Sequence, residues 1–75
     1  MTIRHLKVFL AVADTGKMSL AAKKLYIAQP TVSQTISELE RTYGVLLFER
    51  LAKGLYLTDA GHRLLTYARH IVPLF

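Results

Sequence analysis

The sequence contains no cysteine, which removes both disulfides and thiolate-bound zinc as ways of holding a small fold together. It has no long hydrophobic run either: the longest, residues 8–13, falls far short of the ~20 apolar residues that cross a bilayer. Arg4, His5 and Lys7 are followed by too short an apolar stretch, with no small-residue cleavage pattern, to form a secretory signal. These absences lead to the expectation of a soluble cytoplasmic protein without a membrane partner. There is no glycine-rich loop of the kind that cradles phosphates. The histidines, His5, His62 and His70, have no cysteine or clustered carboxylate beside them, and His62 and His70 stand too far apart on one helix to share a metal. No catalytic residue, metal site or cofactor is therefore expected. Acidic residues are scarce, five against ten lysines and arginines, and the resulting charge of +5 with a pI near 9.9 favours a polyanionic partner.

What the chain has in quantity is apolar surface. At 75 residues it is one domain, near the lower limit at which a core suffices without staples. Its 52% hydrophobic content and mean hydropathy of +0.29 are high for a small soluble monomer, so part of that surface is expected to meet another chain or domain.

The periodicity is mainly helical. A first helix is expected over about residues 2–15, with Leu6, Phe9, Leu10 and Ala13 on one face and Asp14, Thr15 and Gly16 closing it. The stretch LAAKKLYIAQPTVSQTISELE then describes two more. Ala21, Ala22 and Leu25 lie one turn apart, and the small alanines let a crossing helix come close. Val32, Ile36, Leu39 and Tyr43 repeat at helical spacing and mark a buried face on the next helix. Between the two, Tyr26, Ile27 and Ala28 suffice only for a tight turn. Pro30 fits the first turn of the later helix, with Ala28 as a weak N-cap and Ile27 and Val32 placed as a hydrophobic staple. Opposite the apolar stripe lie Pro30, Ser33, Gln34, Ser37 and Arg41. A Gln amide can pair with adenine, and hydroxyls with several base edges, so this edge suits reading DNA; a merely solvated polar face is the alternative.

Gly44 suits the left-handed position that ends this helix, with Val45 folding back on its last turn. The period then changes. FERLAKGLYL reads as a β-hairpin turning around residues 51–54, with Leu55 and Leu57 toward the core, Tyr56 outward, and Arg50 and Lys53 near the tip. A hairpin beside a helix-turn-helix is a wing, whose cations can reach phosphates or a minor groove. Thr58 caps a last helix running to about residue 75, with Asp59 at its positive end and Gly61 permitting a close backbone approach. Leu64, Leu65, Ala68, Ile71, Val72 and Phe75 form a broad apolar stripe suited to a homodimer seam, unless it packs wholly on the first helix. Pro73 is expected to kink or end this helix near Val72, and an apolar finish on Leu74 and Phe75 suggests a fragment leading into a further domain.

The run AAKKLYIAQPTVSQTISELERTYGVLLFER, followed by Gly54, Leu57-Thr58 and Ala60-Gly61, closely resembles the N-terminal DNA-binding domain of LysR-type transcriptional regulators. The resemblance implies a winged helix-turn-helix over residues 1–58, three helices plus a β-hairpin wing, and the start of a long linker and dimerisation helix over residues 59–75. The recognition helix would span about residues 29–42, the wing residues 48–57. Carried over by position, Gln29, Pro30, Ser33 and Gln34 match base-contacting positions, with Thr31 and Ser37 as neighbours on DNA. Ser19 and Arg50 match phosphate-contacting positions, and Lys53 the basic wing tip. The partners implied are double-stranded promoter DNA, a second copy of the chain, a tetramer in the intact regulator, and a small-molecule inducer held by a separate effector domain. Three positions depart from the family pattern. Ala28 stands where Ser is usual, which removes one backbone or phosphate contact. Gln34 replaces a frequent Arg, shifting the expected partner from guanine to adenine. Leu51 and Ala52 replace more polar wing residues. A winged helix used for protein–protein contact remains the alternative.

Overall fold

Local capping chemistry sets the helix boundaries. In the computed structural model, which describes residues 2–74, the first helix, α1, spans Ile3–Thr15, and Thr2 caps it by accepting the His5 backbone N–H at 3.4 Å. Gly16, at φ 74°, supplies the left-handed residue that stops it. The second helix, α2, covers Met18–Leu25 and also stops on a left-handed residue, but here it is Tyr26, at φ 57°. A side chain at that φ costs ~1 kcal/mol or more, and at 95% exposure Tyr26 recovers little of it by packing. What holds the turn is its backbone: the Ile27 N–H reaches the Ala22 carbonyl at 3.1 Å.

The third helix, α3, runs Gln29–Tyr43 from the side-chain-free cap at Ala28, with Pro30 in its first turn. Gly44, at φ 65°, ends it, and the Val45 N–H folds back onto the Glu40 carbonyl at 3.2 Å. Strands β1 (Phe48–Leu51) and β2 (Gly54–Leu57) pair antiparallel, Phe48 opposite Leu57 and Arg50 opposite Leu55, across a two-residue turn. The last helix, α4, covers Asp59–Ile71, and Thr58 Oγ1 accepts the Gly61 N–H at 3.0 Å as its cap.

The core is gathered around α1, which packs on α2, α3 and α4. Leu6, Val8, Phe9, Ala11 and Val12 of α1 are buried with Ala21 and Ala22 of α2 and Val32, Ile36 and Leu39 of α3. Phe48, at the root of the hairpin, meets Phe9 with ring centroids 5.4 Å apart, which brings the hairpin into the same core. No polar side chain is buried among the described residues. This buried face of α1 is wider than the stripe read from periodicity, because neighbours cover it from three sides while Leu10 and Ala13 stay half-buried.

Three expectations need correction. Tyr43 does not extend the buried stripe of α3; it is 51% exposed, because the helix ends there and the chain turns away at Gly44. α4 does not run to residue 75: it ends at Ile71 and passes into a 3-10 turn, Val72–Leu74, since Pro73 has no N–H to continue the ladder. Ala68 is fully buried inside the chain, so it has no surface to give a dimer seam. Phe75, also assigned to that seam, lies outside the described residues.

Candidate nucleic-acid interface

With Val32, Ile36 and Leu39 turned inward, α3 shows its polar edge to solvent. Gln29, Pro30, Thr31, Gln34, Ser37 and Arg41 are exposed, while Ser33 is half-buried. Gln34 and Ser37 have no side-chain hydrogen bond among the described residues, so their donors and acceptors are open to a ligand. Thr35 differs, spending its hydroxyl on the Thr31 carbonyl at 2.8 Å. One carboxylate, Glu38, stands on the exposed side of the same helix. It is drawn toward α1 by His5, whose Nε2 lies 3.0 Å from Glu38 Oε2 and whose Nδ1 lies 2.8 Å from Thr2 Oγ1.

The hairpin register decides where its cations point. Arg50 pairs with Leu55, so it shares the face of Phe48, Leu55 and Leu57, while Glu49, Leu51 and Tyr56 take the other. Arg50 therefore looks toward the helices, not away from them. It borders an open groove of about 310 Å³ whose walls also include Lys17, Ser19, Gln29 and Lys53. The start of α3, the start of α2 and the wing thus converge on one concavity.

Backbone contacts hold that convergence. The Leu55 N–H donates to the Gly16 carbonyl at 3.2 Å, tying the wing to the turn between α1 and α2. At its N-terminus α2 has no side-chain cap. The first N–H groups of a helix have no intrahelical acceptor, and beside Ser19 they favour an anion. With Lys17, Arg50 and Lys53 around the rim, the groove suits a phosphate oxygen chemically. Lys17 did not stand out in the sequence reading; its signal was its place just before the second helix.

Two further acidic groups are engaged elsewhere. Asp14 pairs with Arg69 at 3.3 Å and Lys24 at 3.9 Å, and the Glu40 carboxylate accepts the backbone N–H groups of Leu47 and Phe48 at 2.8 and 3.4 Å. The exposed pairs contribute little to stability but leave the reading edge with few competing negative charges.

The expected seam residues Leu64, Leu65, Ile71 and Val72 are half-buried against the core. Beside them a second, largely apolar groove of about 410 Å³ is lined by Tyr43, Val45, Leu47, Ala60, Leu64 and Tyr67, with Arg63 at its margin. Among the described residues no group of three or more His, Asp or Glu could hold a metal ion, and no helix is long and apolar enough to cross a membrane.

Comparison with known proteins gives the same picture from another direction. Residues 3–62 match the family model described as "Bacterial regulatory helix-turn-helix protein, lysR family". The chain is 46% identical over 74 residues to the HTH-type transcriptional regulator TcbR of Pseudomonas sp. (strain P51), covering 99% of this chain and 25% of that protein. It is 42% identical over 73 residues to the HTH-type transcriptional regulator MetR of Haemophilus influenzae, covering 97% and 24%. The chain therefore spans about a quarter of the length of these curated relatives. Among solved structures it resembles the CbnR_DBD–DNA complex, with a TM-score of 0.92 and 46% identity over 99% of this chain and 85% of that one. The BenM_DBD/catB site 1 DNA complex matches with a TM-score of 0.94 and 38% identity over 99% and 83%.

Proposed function

Because the chain belongs to the lysR family of bacterial regulatory helix-turn-helix proteins, we propose that it binds promoter DNA, with α3 in the major groove and the wing on the backbone or in the minor groove. One observation carries this reading: the exposed start of α3, the uncapped start of α2 and the cationic wing border a single groove. Gln29, Pro30, Thr31, Ser33, Gln34 and Ser37 read bases, while Ser19, Lys17, Arg50 and Lys53 hold the phosphates. The setting for such a role is the bacterial cytoplasm, and no chemistry beyond binding is required of these residues. Relatives solved as DNA complexes support the partner, and the greater length of the curated regulators, of which this chain covers about a quarter, supports a further domain in the intact regulator, where the inducer of our reading would bind.

The test is fluorescence anisotropy of a labelled duplex pool titrated with the chain at several salt concentrations. Binding that falls steeply as salt rises is the expected result. If a dimer of confirmed mass bound nothing even at low salt, the protein–protein role would take its place. Gln34→Ala should then change the preferred base at one position by about 1–3 kcal/mol while leaving the melting temperature unmoved. Recovery of the same site by selection with both proteins would remove Gln34 from the readers.

Pairing through α4 completes the reading, since two recognition helices on one two-fold axis address two half-sites. Support comes from the apolar groove lined by Leu64 and Tyr67, since helical spacing puts the half-buried Ile71 on the same face of α4. Tyr67 is 53% exposed, so Tyr67→Glu spares the core. Sedimentation should show this variant as a monomer at concentrations where the parent chain is a dimer; an unchanged dimer would move the seam elsewhere.

A further inference from the structure

We propose that Glu40 is a positioning residue that transmits the setting of the recognition helix to the wing, an inference that rests on the DNA reading for its consequence in binding. Glu40 lies in the last turns of α3, well round the helix from Gln34, and its side chain is half-buried. Its Oε2 accepts the Leu47 N–H at 2.8 Å and the Phe48 N–H at 3.4 Å. A carboxylate accepting backbone N–H groups makes charge-assisted bonds, about twice as strong as neutral ones.

The same short segment is clasped from its other side. Thr58 Oγ1 donates to the Leu46 carbonyl at 2.6 Å, and the Thr58 N–H donates to the Leu47 carbonyl at 3.0 Å. Donors are thus held by α3 and acceptors by the cap of α4. The side chains of Leu47 and Phe48 are buried in the core while Val45 and Leu46 just before them are exposed, so the polar clasp acts where the chain enters the core. Phe48 opens β1, and Arg50 follows two residues later on the same face. Glu40 also lines the groove of about 470 Å³ beneath the wing, together with Met18, Ile36, Phe48 and Arg50. A displaced Glu40 carboxylate therefore loosens the root of the strand that aims Arg50, leaving Thr58 and the buried Phe48 ring to hold it, without touching the reading edge of α3.

The experiment compares the parent chain with Glu40→Ala, Glu40→Gln, Arg50→Ala and the Glu40→Ala/Arg50→Ala double variant. Anisotropy on a labelled duplex at several salt concentrations gives affinity and salt slope, and amide hydrogen exchange gives local opening. Arg50→Ala should weaken binding about tenfold and lower the salt slope by about one. Glu40→Ala should do nearly the same, and the double variant should be little worse than either single one. Glu40→Gln, which keeps an acceptor, should fall between Glu40→Ala and the parent chain, and it serves as the readout if Glu40→Ala does not fold. Exchange should quicken at Leu47, Phe48 and the hairpin while amides of α1 stay protected. Losses that multiply to about a hundredfold in the double variant would show that Glu40 does not act through the wing. Unchanged protection at Leu47 and Phe48 would remove the latch altogether. A parent chain that binds no duplex at low salt overturns the DNA reading instead, and exchange then decides the latch by itself.

Discussion

Phe9→Ala should cost about 3–5 kcal/mol of stability, the largest loss expected of any single truncation in this chain. Phe9 is fully buried, and its ring meets Phe48 with centroids 5.4 Å apart. Truncation leaves a cavity where α1 meets the root of the wing, a place where backbone contacts on both sides limit collapse. A domain of this size has a total stability of about 4–11 kcal/mol, so the loss consumes much or all of it. Chemical denaturation followed by circular dichroism measures the change. A loss below about 1 kcal/mol would mean that the core closes over the gap and that the Phe9–Phe48 contact is dispensable.

Gly61→Ala sets two physical rules against each other. In a helix interior, alanine is favoured over glycine by about 1 kcal/mol, so propensity predicts a more stable protein. The surroundings predict the reverse. An added Cβ would collide with the Leu47 carbonyl oxygen and lie 2.9 Å from Leu57 Cδ2. The Leu57 methyl can turn aside, but the Leu47 carbonyl cannot yield cheaply, because it also accepts the Thr58 N–H and the Leu47 N–H is held by Glu40. Overpacking of this kind costs about 1–3 kcal/mol, and a backbone carbonyl as the struck atom puts the expected loss at the top of that range. The sign of the shift in melting temperature decides the matter: a rise would show that α4 can slide away from the wing root at little cost.

How far the sequence could be read depended on whether the deciding interaction was local. Thr58 as a cap, Gly16 closing the first helix, Gly44 as a left-handed stop, Pro30 in a first turn and Pro73 as a terminator all act within a few residues of themselves, and each acts as expected. The hairpin was equally legible, because Leu55 and Leu57 alternate with the exposed Tyr56 across a short turn. Tyr43 misled because periodicity does not know where a helix stops being covered. Ala68 misled because a small apolar residue on a stripe can close against its own chain as readily as against a partner. Tyr26 was unreadable as a left-handed residue, since nothing in a tyrosine side chain asks for that conformation.

The site divides in the same way. The reading edge of α3 follows from helical spacing along one element, and that element forms for local reasons. The motif that places the chain in its family also lies almost wholly in consecutive residues, so fold and family were determined by the sequence alone. Tertiary structure decided which side of the wing carries Arg50, that Lys17 joins Ser19 and Gln29 around one groove, and that Glu40 closes on amides seven and eight residues further along the chain. These depend on strand register and on the closure of loops. A one-residue slip in register would turn Arg50 to the opposite face with no change in composition, and the packing of Phe48 on Phe9 is what fixes it.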